Sequence, residues 1–282
     1  MRYFQIYPKF RFSSVLLSLL ALISSTVNAA QKLQTFTIGV VPQHDVRHLI
    51  DIWMPVIDYL NKKSTKNFVL ITSPDIPAFE KQLEDGIFDF AYVNPFQYLR
   101  ASKKKAYQAI LRDDSKRLEG IVVVNRNSHI KKIAQLEGKK IAFPAPNALG
   151  ATLMVRYEFD KLHGINIIPR YVKTHKSVYL QVATGRYLAG GGVTRTLDSQ
   201  DINLRNKLQV LYKTGSLYPH PVAVHPRVNA SDTKNFITDM LALSETEKGK
   251  KILKRINMKK LTRAQHKDYI ELDSINLNPY AH

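Results

Sequence analysis

A chain of 282 residues with 44% apolar side chains is long and apolar enough to exclude disorder, and it can bury one large core or two lobes of ordinary domain size. It contains no cysteine, which excludes disulfides, thiolate metal sites, a cysteine nucleophile and a lipid-modified N-terminal cysteine. Its formal charge of +19 favours anionic ligands or partners through a long-range field.

Residues 1–30 have the build of a cleavable secretory signal. Arg2, Lys9 and Arg11 precede an apolar run over 15–23, and Val27-Asn28-Ala29 offers a small-residue cleavage site. An uncleaved membrane anchor is the poorer alternative, because the apolar run is short for a span. Without those three cations the mature chain keeps 39 Lys+Arg against 23 Asp+Glu, a formal charge of +16. An exported chain without a lipid anchor needs a second membrane to retain it, so a periplasm is the expected location. The lysines are scattered in short clusters such as Lys103-Lys104-Lys105 and Lys250-Lys251, which read as solvated faces; nucleic acid is not expected as a partner.

Residues 35–41 alternate and are rich in β-formers, a first strand ending at Pro42-Gln43-His44. Leu49, Ile52, Trp53, Val56, Ile57 and Leu60 then recur at steps of three and four, the pattern of an amphipathic helix against a sheet. A strand over 68–72, a helix over 76–85 closed by Gly86, and a nearly all-apolar strand over 88–93 follow. Strand, helix, strand, helix, strand makes a parallel α/β layer, whose ligands bind at the C-terminal edge of the strands. Tyr92, Asn94 and Tyr98 fall at that edge, and Pro95 suits a first helical turn.

Strands over 107–111 and 120–125 come next, and the second carries the chain into a new layer. A short helix over 131–136, ended by Gly138, leads to residues 141–157, which read as strand, tight loop and helix start. Pro144 and Pro146 stop the strand; from Leu149 onward Leu153, Met154 and Tyr157 recur at helical spacing. A helix start leaves backbone N–H groups unpaired at the positive end of the macrodipole, and the small residues Asn147, Ala148, Gly150 and Ala151 let an anion come close to them. The remaining expectations are a strand over 167–172, a helix over 177–184, a glycine-rich turn at Ala189-Gly190-Gly191-Gly192-Val193, and a strand over 208–212. Residues 220–225 return the chain to the first layer, and from Ser231 it reads as helical, with Ser244 and Glu247 as a capping box.

Four segments together carry a resemblance: Tyr92-Val93-Asn94-Pro95-Phe96-Gln97-Tyr98, the loop over 143–152, Lys173-Thr174-His175-Lys176-Ser177-Val178-Tyr179, and Gly190-Gly191-Gly192-Val193. In this order the chain resembles the phosphonate/phosphite/phosphate-type periplasmic binding proteins over nearly the whole mature length. The resemblance implies an α/β, two-lobed periplasmic binding protein-like fold, each lobe a mostly parallel sheet flanked by helices, with two hinge crossings. It places the lobes at 31–118 with 220–282 and at 119–219. It implies a monomeric protein, not an enzyme, that closes on a small anionic solute and hands it to an ABC permease. A periplasmic sensor-kinase domain is the alternative partner, and a pyrimidine-precursor-processing enzyme on the same scaffold is a further alternative. Two departures stand out. The Ser and Thr hydroxyls that grip the phosphonate in the family are replaced by Ala148, Leu149 and Gly150, and an acidic residue before the glycine run by Leu188.

The candidate ligand-binding residues are therefore Gln43, His44, Tyr92, Asn94, Tyr98, Asn147, Ala148, Leu149, Gly150, Thr174, His175, Tyr179, Gly191, Arg195 and His220. His175 matches the histidine of the family's Ser/Thr-His motif, where a titrating ring can donate to an anion, or where it simply opens a helix capped by Thr174 or Ser177. Tyr98 either lines the cleft or packs in the core, and Arg195 either grips an oxyanion through two N–H groups or forms a surface ion pair. The histidines, including His225, are widely spaced, with no His-x-x-His pair, so no metal and no cofactor is expected. No Gly-x-Ser-x-Gly elbow or P-loop spacing is present.

Overall fold

The computed structural model describes residues 1–3, 5 and 33–281; the expected signal segment lies almost entirely outside them. The body from Thr35 onward is built on two sheets.

The first sheet begins with β1 (Thr35–Val40), α1 (Val46–Lys63), β2 (Asn67–Ile71), α2 (Ile76–Glu84), β3 (Phe90–Tyr92), α3 (Pro95–Lys105) and β4 (Gln108–Asp113). Asp45 caps α1 by accepting from the His48 N–H at 3.0 Å, and α1 buries Leu49, Ile52, Trp53, Val56, Ile57 and Leu60, the stripe predicted from the spacing. β1 pairs in parallel with β2 and β3, as helical crossovers require. The chain then leaves through β5 (Leu118–Asn125), passes a 3₁₀ turn at Ile133–Leu136 and β6 (Lys140–Phe143), and enters a π-helical turn at Leu149–Leu153. That turn runs into α4 (Met154–His163), followed by β7 (Ile168–Tyr171), α5 (His175–Ala183) and β8 (Ala189–Val193). Two short helices, α6 (Thr194–Asp198) and α7 (Ile202–Asn206), precede β9 (Leu208–Leu217). The second sheet has the order β7-β6-β8-β5-β9. β10 (Pro221–Val224) rejoins the first sheet between β3 and β4, and α8 (Ala230–Glu245), α9 (Glu247–Arg255) and β11 (Leu261–Arg263) complete it in the order β11-β4-β10-β3-β1-β2.

Each sheet is mostly parallel in strand direction: β1, β2, β3 and β4 run one way in the first and β7, β6, β8 and β9 in the second, while β10 and β11 in the first and β5 in the second run against them. Two expectations are corrected. The glycine run is a buried strand, not a turn. The tail is not all helical, since β11 pairs with β4, and Thr246 rather than Ser244 caps α9, accepting from the Gly249 N–H at 3.0 Å.

The chain crosses between the sheets twice, from β4 to β5 and from β9 to β10. The crossings touch each other: the Arg117 and Arg112 guanidinium groups lie 3.7 and 4.4 Å from the centre of the Tyr218 ring.

Candidate functional site

The C-terminal ends of β1, β3, β6, β7 and β8 deliver Gln43 and His44, Asn94, the loop to Leu149, His175 and Arg195; His220 comes from the second crossing. Gln43, Asn94, Ala148, Leu149, Gly150, His175 and His220 line one small space of about 10 Å³. Gln43, His44, Tyr92 and Arg195 line a neighbouring one of about 20 Å³, so ten of the predicted residues converge on one cleft between the sheets. Spaces of this size hold about one water molecule each. The lobes are therefore closed on each other, and admitting a solute requires them to part.

The turn at Leu149–Leu153 is built for close approach. Its hydrogen bonds begin at Thr152, whose N–H donates to Ala148 O at 2.7 Å, so the N–H groups of Leu149, Gly150 and Ala151 precede the ladder. A Cβ on Gly120 would lie 2.0 Å from Gly150 O, and one on Gly191 would lie 2.1 Å from Ala151 O. The two glycines let β5 and β8 press against the turn and fix its direction. Gly191 thus shapes the site from behind and is not itself a ligand contact.

Asn94 caps α3: its Oδ1 accepts from the Gln97 N–H at 2.8 Å, and Gln97 Oε1 accepts from the Asn94 N–H at 3.0 Å. Its Nδ2 donates across the cleft to Asn147 O at 3.2 Å. Asn147 Nδ2 in turn donates to Glu80 Oε2 at 2.9 Å, and Gln97 Nε2 donates to Glu80 Oε1 at 3.0 Å. Glu80, on α2, is thereby the centre of a latch between the sheets. Burial raises its pKa, opposed by these two amide donors and by Arg100. Glu80 was not among the predicted residues. Its signal was available, because it shares the face of α2 that carries Ile76, Phe79 and Leu83, where an acid is out of pattern.

The cleft is electropositive but sparingly charged. Burial lowers His44 to about 4, helped by His48 and Arg195 and opposed by Asp45. Burial lowers His175 to about 3, helped by His44 and Arg195. Burial likewise lowers His220 well below its ordinary value, helped by Arg195 and His175. Arg195 remains as the resident cation, beside the Tyr92 hydroxyl, whose pKa burial raises and Arg195 pulls back. His220 stacks on Tyr92 with ring centres 5.3 Å apart. His220 Nδ1 and Arg195 Nη2 are buried with no hydrogen-bond partner among the described residues. Although three imidazoles share the cleft, no group of three metal-ligating side chains occurs among the described residues.

Three further predicted contacts are reassigned. Tyr98 is fully buried in the core, with its hydroxyl 2.9 Å from His266 Nδ1 and its ring edge-on to Tyr269, so it packs α3 and does not face the cleft. Tyr179 is also fully buried; its hydroxyl lies 3.2 Å from Val193 O and 2.7 Å from Thr196 Oγ1, beneath β8. Thr174 caps α5, accepting from the Ser177 N–H at 3.1 Å. Thr196 Oγ1 also lies 3.2 Å from His175 Nδ1, so Tyr179 and Thr196 orient the histidine.

The fold matches that of a binding protein component of an ABC phosphonate transporter from Pseudomonas aeruginosa, with a TM-score of 0.79, 12% identity and 86% of each chain covered. It also matches PhnD1 from Prochlorococcus marinus, solved in complex with methylphosphonate, with a TM-score of 0.78, 17% identity, and 87% of this chain and 98% of that one covered. A Xanthomonas citri protein bound to chloride ion aligns with a TM-score of 0.69 at 13% identity, covering 86% of this chain and 95% of that one. The family model described as "ABC transporter, phosphonate, periplasmic substrate-binding protein" matches residues 38–269. The chain belongs to this family of periplasmic substrate-binding proteins of ABC transporters.

Proposed function

We propose that the protein captures a small oxyanion-bearing solute in the cleft between its sheets and presents the closed form to an ABC permease. The solute's oxygens would lie on the N–H groups of Leu149, Gly150 and Ala151, with Arg195, His175 and His220 reaching in from around them. Residues 31–118 with 220–282 and residues 119–219 would be the two lobes that swing, and residues 1–30 would direct export to the periplasm and be removed. The observation that carries this reading is the pair of buried, unpartnered atoms, His220 Nδ1 and Arg195 Nη2, in the cleft that holds the start of the π-turn. Arg195 Nη2 is a donor, and a buried donor without an acceptor costs about 1–3 kcal/mol, which an oxyanion in the cleft removes.

A thermal-shift screen over phosphate, phosphite, methylphosphonate and small sulfonates tests it. At least one should raise the melting temperature in a concentration-dependent way, since a ligand that binds only the folded chain stabilises it. No shift with any member of the panel at millimolar concentration would contradict the reading.

A further inference from the structure

A cavity of about 590 Å³ lies beside the cleft, at the crossings. It shares walls with the cleft. Arg195 and Asn257 line both the cavity and the space at His44, while Leu118 and Val193 line both the cavity and the space at the π-turn. Both sheets contribute to it, with Lys213 from β9 on one side and Lys254 from α9 on the other.

Its charge is one-sided. Six cations, Lys116, Arg117, Arg195, Lys213, Lys254 and Lys259, face three carboxylates. The carboxylates are engaged: Glu119 Oε2 with Lys213 at 3.1 Å, Asp198 with Lys116 at 3.8 Å, and Asp113 with the Ser115 hydroxyl at 2.6 Å and the Lys260 N–H at 2.8 Å. No carboxylate lies within 4.0 Å of the Arg117, Arg195, Lys254 or Lys259 cation among the described residues. Asn257, on the wall shared with the cleft, closes α9 in the left-handed conformation that asparagine tolerates, with φ of 60° and its N–H donating to Lys254 O at 3.2 Å.

Resting on the solute reading above, we infer that the solute is bipartite. One oxyanion occupies the cleft, and a second anionic group, a few bonds away, occupies the cavity between Arg117, Lys254 and Lys259, with Arg195 between the two. The cavity is of ordinary ligand-site size, whereas the cleft spaces hold about one water molecule each. Ala148 and Leu149 carry no hydroxyl, which fits this division, because a second anchor compensates a weaker first one.

Calorimetry on the purified protein with propylphosphonate and propane-1,3-diphosphonate separates reach from charge, since the two differ only in the terminal anion. The diphosphonate is expected to bind roughly tenfold or more tightly. Lys254→Ala with Lys259→Ala should bring it to the propylphosphonate level and leave propylphosphonate unchanged. Both lysines are exposed, so melting temperature should not move. Lys131→Ala with Lys132→Ala, which removes the same charge away from the cavity, should leave both ligands unaffected. Equal affinity for the two probes overturns the inference alone, as does an equal loss in the two double variants, which would mark a general field effect. Binding of neither probe overturns it together with the reading on which it rests.

Discussion

Ala148 and Leu149 bring no side-chain hydroxyl to the start of the π-turn, and both are buried among apolar side chains continuous with the core of the first sheet. An oxyanion here has backbone N–H groups but no Ser or Thr O–H, and each hydrogen bond to a charged group is worth about 1.5–3 kcal/mol net of water. Simple alkylphosphonates should therefore bind weakly, and Ala148→Ser with Leu149→Thr should tighten them about tenfold or more by calorimetry. Submicromolar binding of methylphosphonate to the unaltered protein would show that the backbone suffices. The histidines give a second prediction at this scale. Because His175 and His220 titrate far below an unfolded histidine, the unfolded chain takes up their protons first as pH falls. Their contribution to stability is complete above about pH 6.5 and is lost on acidification toward the folded values, at about 1.4 kcal/mol per histidine per pH unit. The melting temperature should fall between about pH 7 and 5, and less steeply in His220→Gln. A bound oxyanion has the opposite effect, favouring the imidazolium form, so binding should take up protons and tighten as pH falls. Calorimetry in two buffers of different ionisation enthalpy reads this directly, and proton release would contradict it.

At the scale of elements, β8 shows where reading the chain succeeds and where it stops. Leu49 to Leu60 and the strand ends carrying Gln43, Asn94 and His175 were legible because burial on one face imposes a period on the sequence. Three consecutive glycines carry no such period, and their low strand propensity reads as a turn. What makes them a strand is lateral: Val178 and Val182 cover Gly190, Ala151 O and Phe143 cover Gly191, and Tyr179 covers Gly192. That packing is a property of the assembled second sheet and has no local signature. Tyr98 failed similarly, since its spacing from Asn94 says only that both lie on one helix, and His266, which engages its hydroxyl, is 168 residues away. The same geometry predicts that Gly191→Ala pushes Ala151 and the π-turn aside. It should cost at least about 1–3 kcal/mol in denaturant unfolding and abolish oxyanion binding, with Gly191→Ser no better. Normal affinity in Gly191→Ala would separate β8 from the site.

For the whole molecule, the lobes meet through the Glu80–Asn147–Asn94 latch and are joined by two crossings. Solute should shift the population toward the closed form by as much as it binds that form better. Small-angle scattering should show a smaller radius of gyration with a saturating ligand, and Asn147→Ala should enlarge the ligand-free radius. An unchanged radius in both experiments would mean that the lobes do not swing.

The Tyr218 ring, held by Arg112 and Arg117, makes the two crossings one joint and not a pair of separate linkers. A single joint should leave one swinging coordinate and suppress twisting, so that the open lobes would explore a narrow cone. Little conformational freedom would then remain to be lost at capture. Tyr218→Ala should widen the cone without touching the cleft, leaving the binding enthalpy unchanged while the entropy becomes less favourable. The architecture of the crossings would then set affinity through freedom withheld from the empty protein.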